Sequence, residues 1–165
     1  MSVNLVLPTL KNWAQLRLSA IIKATTPSAF DTAFDNFLST HATLTVNGKH
    51  ISRDEYKKQL QGEGFREAGA SVTFNGAVEI PNDKSNTFQA GVVGLFYTAV
   101  ISEKLILHGE PESNQITSSL NLVIEEDKSL TPPHLPSGVH GDFDGRRVSV
   151  LNQIILDVHQ KNNFN

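Results

Sequence analysis

The sequence contains no cysteine, which removes disulfides, thiolate nucleophiles, zinc–thiolate centres and cysteine-ligated clusters together. It has one tryptophan and two tyrosines among 165 residues, so chemistry that needs a phenol has only Tyr56 and Tyr97 to draw on. Charged residues make up 19% of the chain, and 14 basic against 17 acidic side chains leave a net charge of -3. With no dense Lys/Arg run, that balance argues against a nucleic-acid-binding surface. Long apolar runs are missing too: the longest nearly apolar stretch, Ala90 to Ile101, is too short to cross a bilayer and carries two glycines. Met1 to Leu10 has no basic residue ahead of its apolar part, so it does not read as a secretory signal. The expected location is the cytoplasm, with the nucleus allowed. No Gly-rich phosphate loop, nucleophile elbow or metalloprotease helix motif occurs in the sequence.

What is present is enough apolar material, 39%, for one sizeable core. The length fits a single domain over 1–165, since domains run to about 150 residues. The hydrophobic period changes once: roughly the first 65 residues repeat at helical spacing, and most of the rest alternates as strands do. Pro8 opens a first amphipathic helix to about residue 24, carried by Leu10, Trp13, Arg17, Ala20, Ile21 and Ala24. After Thr25 to Ser28, the stripe Phe30, Phe34, Phe37 and Leu38 predicts a second helix ending near Ser39. Ala42 to Val46, Asn47-Gly48 and Lys49 to Ile51 read as a tight hairpin. Ser52 with Glu55 forms a capping box for a short third helix through Tyr56 and Leu60, expected to be solvated. Strands follow at Val72 to Ile80, Val92 to Leu107, Ile116 to Ile124 and Val148 to Val158, with a long loop over about 127–144. Apolar residues on both faces of these strands predict a sheet covered by the helices on one side and by a partner subunit on the other.

The passage His41-Ala42-Thr43-Leu44-Thr45-Val46-Asn47-Gly48, then Ser52-Arg53-Asp54-Glu55-Tyr56, resembles the nuclear transport factor 2-like superfamily, including its SnoaL-like branch. Asp144-Gly145-Arg146-Arg147 leading into the last strand resembles that superfamily's final turn. The resemblance spans nearly the whole chain, and its motifs are turns and caps. It implies an α+β fold in which a cone-shaped, curved antiparallel sheet wraps around the N-terminal helices. It also implies an apolar pocket and a homodimer paired through the outer sheet face.

Such a fold hosts unrelated activities, so function has to come from the site. The resemblance would place an isomerase's acidic base at Val46, which cannot take a proton, and the first helix lacks the tyrosine that such an isomerase uses. Ligand-binding candidates are Trp13 and Phe34 as aromatic lining, Tyr97 as a polar tip, and Asn121 and Asn152 as amides within apolar strands. Ser118 and Gln153 are further polar insertions of the same kind. Catalytic candidates reduce to Tyr97 and to His41, whose other role is to cap the second helix. His134, His140, Asp142 and Asp144 share one loop but lack the rigid spacing of a metal site, so no metal and no cofactor are expected. Asp31 and Asp35, four apart on the second helix, read as a solvated face.

Three functions stay open on this reading. The first is binding of a small hydrophobic molecule in an apolar pocket, in an accessory role. The second is a cofactor-independent isomerase, dehydratase or cyclase acting on a polyketide- or terpenoid-like substrate. The third is a protein-interaction module. No membrane or nucleic-acid partner is expected.

Overall fold

A computed structural model describes residues 7–62, 69–107, 110–134, 136 and 143–160. Its elements are α1 (Leu10–Lys23), α2 (Pro27–Phe37), β1 (Leu38–Val46), β2 (Lys49–Ile51), α3 (Arg53–Gln61), β3 (Ala70–Pro81), β4 (Gly91–Leu107), β5 (Glu110–Glu126) and β6 (Arg146–Gln160). Local chemistry sets the helix starts. The Thr9 and Thr26 hydroxyls accept from Asn12 N and Ala29 N, Pro27 occupies the first turn of α2, and Ser52 and Glu55 close a reciprocal capping box on α3. The α2 helix passes straight into β1, so the strand starts at Leu38, four residues before the β-prone run of the sequence predicts. At the β1–β2 turn Asn47 and Gly48 both have positive φ, 49° and 80°, as a two-residue hairpin that follows strand twist requires.

One six-stranded sheet results, in the order β2-β1-β6-β5-β4-β3. It is mixed and not wholly antiparallel, because β1 and β6 run parallel. A parallel pair needs a long crossover, and here α3 and four strands supply it. Asn47 fastens the hairpin to β6: its amide donates to Ile155 O (3.1 Å), its Oδ1 accepts from Ile155 N (2.9 Å), and its backbone N donates to Gln153 O (2.9 Å).

The helices lie on one face of this sheet. Leu10, Trp13, Ala14, Leu18, Ile21 and Ile22 of α1 and Phe30, Phe34 and Phe37 of α2 pack with Val93, Leu95, Leu120, Leu122, Ile124 and Leu151 into one core. Leu18 thus joins the buried stripe of α1, whereas Ala20 is exposed. At the start of β4 the chain needs glycine: a Cβ on Gly91 would lie 2.7 Å from Leu10 Cδ1 and 2.8 Å from Pro81 Cα. No described helix is long and apolar enough to cross a membrane.

Candidate functional site

The helix-facing side of the sheet holds one cluster of buried polar side chains. Gln153 is fully buried; its amide nitrogen donates to Tyr97 Oη (3.1 Å) and Ser118 Oγ (2.8 Å), and its Oε1 accepts from Tyr56 Oη (2.8 Å). Three strands and α3 are thereby tied at one amide. Burial, with the neighbouring Tyr97 phenol adding to it, pushes the Tyr56 hydroxyl well above its ordinary value, so it stays a neutral donor. Tyr56 is therefore interior and not solvated: Tyr56 and Leu60, four apart, are the buried face of an otherwise charged α3.

A second polar group lies at the start of β6. Asp144 Oδ2 accepts from Trp13 Nε1 (2.9 Å) and from the guanidinium of Arg17 (3.3 Å), and Oδ1 accepts from Arg146 Nε (2.9 Å) and Arg146 N (3.1 Å). Burial would raise this carboxyl, but the Arg146 hydrogen bonds and charge and the Trp13 indole outweigh it and hold it at about 2. Arg146 continues to the carbonyls of Pro8 and Phe88, and Arg147 Nε to that of Asp35, so each guanidinium serves orphan backbone acceptors. The Asp-Gly-Arg-Arg turn is a structural clamp between α1, α2 and β6.

The predicted site residues divide between these surroundings. Trp13 stacks on Phe37 (6.1 Å between centroids) within the core, and Phe34 is fully buried between Phe30 and Tyr56. Tyr97 is buried in the Gln153 cluster. His41 is exposed on β1, past the end of α2 and clear of that cluster. Asn121 and Asn152 are exposed, paired across β5 and β6 on the face turned away from the helices. Asp31 and Asp35 form ion pairs with Lys57 and Arg53 of α3, both at 2.7 Å. Among the described residues no group of acids and histidines is arranged to hold a metal; His140 and Asp142 lie outside them, as does His108.

A bulge explains the placement of Asn152. Val148 and Leu151 are both buried although three apart, because the β5–β6 register shifts between Ile124–Val148 and Val123–Val150. Strict alternation from Val148 would aim Asn152 inward; the extra residue sends it outward and brings Gln153 in. On β5 the alternation Ser118, Leu120, Leu122, Ile124 already marks Asn121 as outward, a signal present in the sequence.

The outer face is the other feature of note. From β3 to β6 its rows read Ile80–Val92–Val123–Val150, Val78–Gly94–Asn121–Asn152, Gly76–Phe96–Ser119–Ile154, then Thr73–Thr98–Thr117–Leu156. These rows hold no charged side chain. Several of the apolar ones are widely exposed, Ile80 at 69%, Ile154 at 67% and Phe96 at 47%.

No protein-family model matches the sequence, and no curated protein is similar enough to be matched. Solved structures do share its architecture. Mtr2 of Candida albicans aligns over 89% of this chain and 94% of its own at 14% identity, with a TM-score of 0.57. A chain of the C. albicans Mtr2–Mex67 M domain complex aligns over 91% and 96% at 12% identity, with a TM-score of 0.58. An NTF-2 like protein of unknown function from Pseudomonas aeruginosa aligns over 88% and 94% at 10% identity and a TM-score of 0.44. Three helices ahead of and within one curved, unclosed sheet, in the element order that the capping box and hairpin predict, give this chain the nuclear transport factor 2-like α+β fold.

Proposed function

We propose that the protein is an interaction module that pairs with a second copy of itself through the outer face of its sheet. The observation that carries this reading is the outer face from β3 to β6, whose four rows carry no charge and expose Ile80, Val78, Phe96, Ile154 and Leu156. Large exposed apolar side chains grouped on one face mark interaction surfaces, and depletion of charge marks the centre of protein interfaces. Four strand spacings and eight residues of strand span roughly 20 Å by 30 Å, on the order of 600 Å² before side-chain relief is added. That approaches the ~800 Å² per partner of a standard interface. No charge in these four rows opposes its own copy.

Native mass spectrometry and sedimentation of the wild type should give a dimer, and Phe96→Glu and Ile154→Glu should each give a folded monomer. A wild type that stays monomeric at high concentration would sink the self-pairing. The face would then be assigned to a different protein; a solved structure of the same fold is that of a complex of Mtr2 with the Mex67 M domain.

The binding of a small hydrophobic molecule is the second reading, and the Gln153 cluster favours it: polar tips set in an apolar interior are what orient such a ligand. An adduct released on denaturing extraction would support it. Turnover of a polyketide- or terpenoid-like substrate would have to run through Tyr97, and unchanged turnover in Tyr97→Phe would remove that case.

A further inference from the structure

Two asparagines of the sequence stand directly before a glycine, in Asn47-Gly48 and Asn75-Gly76. Such a dipeptide carries a latent reaction, because glycine has no Cβ to keep its backbone nitrogen away from the Cγ of the asparagine before it. The fold holds the two very differently. Asn47 is gripped at both ends of its amide, Nδ2 donating to Ile155 O and Oδ1 accepting from Ile155 N, in a turn where it and Gly48 both have positive φ. Asn75 is exposed, and among the described residues its side chain makes one hydrogen bond, from Nδ2 to Thr98 Oγ1 (3.1 Å). Between Ala70 and Pro81 it is the single residue of β3 without a partner on β4, the extra residue of a bulge. β3 is also the last strand of the sheet, so no ladder holds its other side. Gly76 is exposed as well, and nothing lies within 4 Å of where its Cβ would stand.

We infer that Asn75 is a site of spontaneous deamidation, selected over Asn47 by the bulge at the sheet edge. The Gly76 nitrogen attacks Cγ of Asn75. The N–Cγ bond forms, the Cγ–Nδ2 bond breaks, and the displaced amide nitrogen leaves as ammonia, taking up the proton that Gly76 N gives away. Water then opens the cyclic imide at either of its carbonyls, which leaves an aspartyl or an isoaspartyl residue at position 75. An unpaired residue on an edge strand lets the backbone turn toward its own side chain at the loss of few ladder bonds. Cyclisation at Asn47 would first have to break both hydrogen bonds to Ile155. The product at position 75 is a carboxylate on the outer side of the sheet, because Thr98 stands in one of the uncharged rows of that face.

Ageing the full chain in mildly alkaline buffer made with heavy-oxygen water, followed by peptide mapping in a mass spectrometer, tests this. The peptide holding Asn75 should gain the mass of an amide-to-acid conversion with a heavy oxygen and should split into two isomers. With two hydrogen bonds to break, the peptide holding Asn47 should convert about tenfold more slowly or slower still. In strong urea, where neither the turn nor the bulge survives, the two rates should converge. Gly76→Ala should fold, since the backbone there is outside the left-handed region and the new methyl meets nothing, and it should slow conversion at Asn75 severalfold. Conversion at Asn47 as fast as at Asn75 in the folded chain, or none at Asn75, overturns the inference. So does a rate at Asn75 that Gly76→Ala leaves unchanged. A ratio between the two sites that urea does not alter overturns the selection by the fold.

Discussion

Gln153 is the side chain with most to lose. Replacing it by leucine keeps the volume but leaves the Tyr56, Tyr97 and Ser118 hydroxyls without their shared partner. At roughly 1–3 kcal/mol per buried unpaired group and incomplete additivity, Gln153→Leu should cost about 3 kcal/mol. Tyr97→Phe, which spares the Ser118 bond, should cost about 1 kcal/mol; urea midpoints at constant m separate the two. The raised Tyr56 hydroxyl stabilises the fold below its ordinary value of 10.0, and that contribution is lost as pH rises beyond it. Asp144 works with the opposite sign. Its carboxyl is depressed from 3.8 to about 2, so its contribution is complete above pH 3.8 and disappears as pH falls toward 2. With partial solvent screening this amounts to about 1–2 kcal/mol. Asp144→Asn should accordingly lower stability at neutral pH by about that much and flatten the acid limb of a stability–pH curve.

The short helix α3 shows which contacts matter to an element. Its ion pairs to α2 involve Asp31 and Asp35, whose side chains are half or more exposed. Such pairs contribute little, so Asp31→Asn and Asp35→Asn should each shift stability by less than about 1 kcal/mol. Ser52→Ala, which removes the cap, should cost about 1 kcal/mol and speed hydrogen exchange through α3 first. Elements were legible in the sequence where a local signal is self-sufficient. The Ser52–Glu55 box, the Asn47-Gly48 turn and the phenylalanine stripe of α2 each needed no tertiary information, and all three stand in the structure. Legibility ended where a distant element decides. The bulge after Val148 follows from pairing with β5 and β1, and without it Asn152, not Gln153, reads as the inward residue. Tyr56 was hidden by the charge of α3: only its spacing to Leu60 betrays the one face that burial selects.

At the scale of the whole molecule, the two sides of the sheet are different in kind. One is filled by helices and closed at one end of β6 by the Asp144 clamp; the four described rows of the other, from β3 to β6, hold no charged side chain. Pairing across an uncharged face is driven by removal of apolar surface from water and not by ion pairs. Raising salt from about 50 mM to about 500 mM should therefore leave the proposed dimer intact or tighten it, whereas electrostatic pairing would weaken as the screening length shortens. Sedimentation at both salts decides between them. The long segment after β5 stands outside this division. Asp127 N donates to Gly145 O (2.8 Å), so the chain leaves and rejoins the sheet at a single hydrogen-bonded point. Ser129 and Leu130 turn back on Asp127, and Thr131 to His134 beyond them are all exposed, so the strands do not register how long the connecting segment is. Halving it should change stability by only about 0.6 kcal/mol. An evolving lineage, or an engineer, has there a berth for foreign sequence that costs the host fold almost nothing.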